Sequence, residues 1–161
     1  MVLDRLPDAP APRPSTGRQA AQELPWQAST VPRARRFVRE VLTAWQRPEY
    51  EEAGTLLVSE LVGNAVLHAR SPVQVELVER DDGILLSVTD RSTVLPVVRR
   101  HGREAGTGRG LWLLDQYSAS RGVHRLTDGK VVWAVLCPEV LGPTEGADAA
   151  LATWLDEVEG L

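Results

Sequence analysis

Three groups of residues in this chain have types and spacings that could do chemistry. The first lies in the stretch ELVGNAVLH, Glu60 to His68. Glu60 and Asn64 are four residues apart, so at about 100° per residue they point within about 40° of each other on a helix, with His68 one turn further along. Asn64 offers a neutral carbonyl oxygen suited to a hard cation such as Mg²⁺, and Glu60 a carboxylate that can take a proton from water or a hydroxyl. The plainer alternative is a solvated helix edge with Asn64 in a local hydrogen bond. The second group is Asp90, at the end of ILLSVTD, where an acceptor-only carboxylate can receive a hydrogen bond from a ligand amine or simply form a turn. The third is GTGRGL: Gly106, Thr107, Gly108, Arg109, Gly110 and Leu111. Its alternate glycines admit close backbone approach by a polyanion, and a following helix N-terminus adds free N–H groups. The alternative there is a flexible hinge. Neither the dinucleotide fingerprint nor the Walker P-loop pattern occurs in the chain.

Elements that could position these groups are legible on both sides of them. Ser29 or Thr30 can cap a helix with Pro32 in its first turn, along which Phe37, Val38, Val41, Leu42 and Trp45 recur at helical spacing while Arg33, Arg36, Arg39 and Glu40 face outward. A second helix is predicted from Pro48 to Ala69, with Leu56, Leu57, Leu61, Ala65 and Val66 as its apolar set, ending before Ser71-Pro72. VQVELVE and ILLSVTD alternate about Asp81-Asp82-Gly83, and SRGVHRL and KVVWAVL about Asp128-Gly129, giving two hairpins. A short strand over Leu24 to Ala28 is expected to open the domain. Between the hairpins lie a basic loop, Arg91 to Thr107, and a short helix at LWLLDQY. Antiparallel hairpins interleaved with helices indicate an α+β sandwich with helices on one sheet face. The four prolines among residues 7–14 predict a disordered lead, placed at 1–19. A single folded domain over 20–138 and a linker with an amphipathic tail helix over 139–161, carrying Leu151, Trp154, Leu155 and Val158, complete the division.

Composition narrows the class of partner. At 161 residues with a net charge of −4, the chain suits one core and lacks the excess of cations that a phosphate-backbone binder uses, so no nucleic-acid partner is expected. One cysteine, Cys137, rules out an intrachain disulfide and fits a reducing compartment. No signal core and no apolar run of about 20 residues is present, so a cytoplasmic location without membrane insertion is expected. Lys130 is the only lysine, a bias read as codon usage rather than chemistry.

Taken in chain order, Glu-x-x-x-Asn on a helix, Asp at a strand end and G-x-G-x-G leading into a helix resemble the boxes of the GHKL ATPase family, from Glu23 to Cys137. The wording LLVSELVGNAVLHA, GTGRGLWLL and GKVVWAVL is similar to its small stand-alone branch, the anti-sigma-factor serine/threonine kinases and related actinobacterial ATP-binding regulators. The resemblance implies a Bergerat-type two-layer sandwich with a mixed, mostly antiparallel sheet, and ATP with Mg²⁺ as cofactors. It implies Glu60 as general base, Asn64 as the Mg²⁺ ligand, Asp90 on the adenine amine, and Gly106 to Leu111 with Arg109 at the phosphates beneath a lid. It further implies a protein antagonist of the anti-anti-sigma type and a sigma factor as partners, with a homodimer expected by analogy.

Two departures accompany the likeness. The adenine Asp is commonly followed by D-x-G-x-G, whereas here Asp90 is followed by Arg91-Ser92-Thr93-Val94. Many members carry Thr where this chain has Val131, and losing one neutral hydrogen bond costs about 0.5–1.5 kcal/mol. A non-catalytic regulator that binds ATP, or binds it poorly, is therefore the competing reading. A metal or hydrolase site on Glu60 and His68 is the weaker third, since their spacing matches no known ligand pattern.

Overall fold

The computed structural model describes residues 17–93, 117–136 and 138. Five strands and two helices follow in the order β1 (Gln19–Leu24), α1 (Thr30–Ala44), a short 3₁₀ turn (Pro48–Tyr50), α2 (Glu51–His68), β2 (Val73–Arg80), β3 (Gly83–Asp90), β4 (Ser118–Leu126) and β5 (Gly129–Leu136). The strands form one sheet in the order β1-β2-β3-β5-β4. Every pairing is antiparallel, so among the described residues the sheet is not mixed. The fold is the expected α+β sandwich.

Alternation decides what the sheet buries. Val73, Val75 and Leu77 of β2, Ile84, Leu86 and Val88 of β3, and Val132, Ala134 and Leu136 of β5 join α1 and α2 in the main core. The intervening positions carry a second, smaller cluster, Val78, Leu85, Trp133 and Val135. The first hairpin turns over Asp81-Asp82, with Arg80 paired to Gly83. Gly83 sits at φ +139°, where a Cβ would meet the Leu136 carbonyl oxygen at 2.1 Å, so only glycine fits.

Two local expectations change. The opening strand is Gln19–Leu24 rather than Leu24 to Ala28, because Pro25 has no N–H to give a ladder and ends the strand. Ser29 occupies the N-cap position of α1 without making a cap hydrogen bond. Thr30 instead ties the preceding turn: its hydroxyl donates to the Pro25 carbonyl and accepts from the Gln27 N–H. At its other end, α1 closes with Gln46 N–H on the Thr43 carbonyl and Arg47 N–H on the Leu42 carbonyl, with Gln46 left-handed at φ 57°. This is a Schellman closure with glutamine in the usual glycine place.

The ends of β1, α1 and β2 are pinned together by charge. Arg18 lies 2.8 Å from Glu79 and over the Trp45 ring, and Arg47 reaches the same carboxylate at 3.0 Å. The Arg18 hydrogen bond, reinforced by Arg47, lowers the Glu79 carboxyl to about 2. Among the described residues no helix is long and apolar enough to cross a membrane.

Candidate functional site

Helix α2 is buried around its whole circumference in its middle turns, from Leu56 to Leu61 and on through Val62. Glu60 therefore does not lie on a solvated edge; it is 5% exposed. Burial pushes its carboxyl up to about 7, against a partial lowering by the Asn64 hydrogen bond. That contact is long, with Asn64 Nδ2 donating to Glu60 Oε1 at 3.4 Å. It uses the amide's donor end and leaves the carbonyl oxygen as an acceptor, the chemistry Mg²⁺ requires. His68, in the last turn of α2, is exposed and does not join the pair.

Asn64 and Asp90 meet at one cavity between α2 and the ends of β3 and β5. Its walls are Leu61, Asn64, Ala65, Val88, Asp90, Lys130 and Val132. Glu60 is one turn back from this wall. The cavity holds about 10 Å³, room for roughly one water molecule. A roomier cavity of about 100 Å³, lined by Glu23, Pro72, Val73, Gln74, Thr89, Asp90 and Arg91, shares only Asp90 with it. GTGRGL, the basic loop beyond Thr93, the LWLLDQ stretch, the tail helix and Cys137 lie outside the described residues.

Asp90 is already engaged. Lys130 Nζ lies 3.0 Å from Oδ1 and 2.9 Å from Oδ2, with both side chains at most 4% exposed. The Ser92 N–H donates to Oδ1 at 2.8 Å, and Lys130 also reaches the Ser92 carbonyl at 3.5 Å. The turn-forming use of Asp90 is thus realised, and an ammonium sits on the same carboxylate. The register makes this pairing: Asp90 opposes Lys130 and Thr89 opposes Val131, and opposed residues share a face. Val131 consequently points to the other side of the sheet, so the missing hydroxyl is not what alters this cavity. Gly129 allows the close approach, since a Cβ there would lie 2.0 Å from the Asp90 carbonyl oxygen.

Comparison with known proteins bears on this geometry. The model of the family described as the histidine kinase-like ATPase domain matches residues 24–136. The chain belongs to this family. No curated protein matches it. The fold is the one the resemblance implied, and an ATP-binding regulatory role follows at that level. Asn64 would hold Mg²⁺ through its carbonyl oxygen, which the bond to Glu60 leaves open. At the base end Asp90 has little left for an adenine amine, because three of about four acceptor positions on its carboxylate are taken. Lys130 is the cavity-lining residue that sequence reasoning missed. Its signal was there: the chain's single lysine stands in phase with the inward-facing Val132, Ala134 and Leu136.

Proposed function

We propose that this ATPase domain is an ATP-dependent regulator of the anti-sigma-factor kinase type, transferring phosphate to a Ser or Thr of a protein antagonist and holding a sigma factor in alternation with it. One observation carries the proposal: a carboxyl raised to about 7 by burial and bonded to the amide in the position the family uses for base and Mg²⁺ ligand. A base with that affinity is half in its proton-accepting form at neutral pH, where general-base catalysis is most efficient. Glu60 takes the proton of the antagonist hydroxyl, and Asn64 would hold the cation. Mg·ATP, when bound, supplies the phosphoryl group and most of the charge neutralisation.

Affinity capture from native cytosol with and without ATP, followed by phosphotransfer to whatever binds, tests the proposal. The expected result is a captured protein labelled on Ser or Thr, with Glu60→Ala slower by about 10²–10⁴-fold. Transfer by Glu60→Ala at the wild-type rate refutes the base assignment. A non-catalytic regulator acting by protein contact is the second reading, and the Lys130–Asp90 pair favours it. A fluorescent ATP analogue with Mg²⁺ that fails to saturate up to millimolar concentration removes every ATP-dependent reading, the kinase included, and leaves a regulator acting by protein contact alone.

A further inference from the structure

We infer that Lys130 is the residue that determines base specificity in this site: by holding Asp90 and filling the space before it, Lys130 denies the carboxylate to the exocyclic amine of adenine. The inference rests on the nucleotide reading above. In a site that selects adenine through a carboxylate, the acid must present a free oxygen to the 6-amino group. Here both oxygens of Asp90 receive the Lys130 ammonium at 2.9–3.0 Å, and one also receives the Ser92 N–H. The lysine is 2% exposed, so its stem lies inside the wall rather than reaching in from solvent. Beside the pair, between α2 and the strand ends, about 10 Å³ is open, about one water molecule, so no second donor such as an exocyclic amine has room at Asp90 while Lys130 holds it.

The pair is also locked in place by backbone. Asp90 opposes Lys130 at the last rungs of the β3–β5 ladder. Arg91 N–H on Ser71 Oγ at 3.2 Å fixes the chain where it leaves β3, and Gly129 leaves no gap between the two backbones. An incoming adenine must therefore compete with an intramolecular, buried ion pair. A base bearing a 6-oxo group loses nothing by comparison, because its oxygen is an acceptor that a free carboxylate would repel and an ammonium can serve. Wild-type protein should consequently treat ATP and ITP alike or favour ITP. Lys130→Thr removes the ammonium and the long stem together and should restore selection for ATP.

Equilibrium titration of wild type and Lys130→Thr with Mg·ATP and Mg·ITP tests this, with circular dichroism confirming that the variant is folded. The expected wild-type affinities lie within about threefold of each other or favour ITP. Lys130→Thr should bind ATP at least about tenfold more tightly than wild type does, the scale of one hydrogen bond to a charged group, with ITP unimproved. Wild-type selection of ATP over ITP by tenfold or more overturns the inference without any variant, and so does a folded Lys130→Thr with no gain for ATP. Either result leaves the nucleotide site itself intact. Failure of both proteins to bind either nucleotide instead removes the nucleotide reading, and this inference with it.

Discussion

A carboxyl buried beside an amide resists ionisation, and the stability of this domain should register that resistance. Glu60 moves from 4.5 up to about 7 through burial. A raised carboxyl contributes stability that is fully present below about pH 4.5 and lost as pH rises through about 7. Glu60→Gln keeps the shape and removes the titration. It should match wild type at pH 4.5 and exceed it by up to about 3 kcal/mol at pH 8 in urea unfolding; a difference that is flat across this range argues against a buried, titrating Glu60. The Lys130–Asp90 pair behaves otherwise, because removing one partner strands a buried charge. Lys130→Met or Asp90→Asn alone should cost about 3–5 kcal/mol, and the two together far less than their sum, a coupling that a double-mutant cycle measures. The α2 pattern showed that Glu60 and Asn64 share a side. It did not show that Glu60 is buried, since that depends on what packs around the whole helix. Lys130 was legible by phase alone, and its rarity drew a compositional explanation in place of a structural one.

At the level of elements, the hairpins were the most legible parts, because turn residues and strict alternation fix phase and register together. QAAQEL carries no such alternation of large apolar residues, so the opening strand was misplaced toward Leu24 until Pro25 is given its due. The helices keep two local inefficiencies that can be tested. Gly63 lies in α2 and, among the described residues outside its own helical turn, nothing comes within 4 Å of a Cβ built there. Gly63→Ala should therefore stabilise by about 1 kcal/mol through helix propensity alone, raising the melting temperature by a few degrees. A fall instead would mean that the bare backbone beside Asn64 serves packing or approach. Gln46, exposed and left-handed at φ 57°, should likewise gain up to about 1 kcal/mol on change to glycine, because a side chain there strains the backbone; thermal unfolding reads both variants directly.

Across the whole molecule, the sheet is the shared wall of the core and the candidate site, and its two faces are unequal. One face meets α1 and α2; its pattern was plain in the sequence. The other carries Val78, Leu85, Trp133 and Val135, aligned as Val78–Leu85–Val135 across three strands with Trp133 beside them opposite Ser87. Neither helix lies on that face, yet these four are only 1–6% exposed. Alternation puts Trp133 and Val135 on the face opposite Val132, Ala134 and Leu136, and no local pattern distinguishes a residue turned away from the first core into water from one in a second core. Trp133 decides the matter by comparison with Trp26, which is 50% exposed although its indole N–H bonds the Val66 carbonyl at 3.0 Å. Trp133→Ala should cost about 3–5 kcal/mol, the range for a core aromatic. Trp26→Ala should cost only about 0.5–1.5 kcal/mol, the worth of one net hydrogen bond. Both values come from urea midpoints at unchanged slope. If the two substitutions cost the same, the far face of the sheet is surface and the domain has a single core. If Trp133 costs several-fold more, the strand that sets Lys130 against Asp90 is held from both sides, and the rigidity of that buried pair is a property of the whole sandwich.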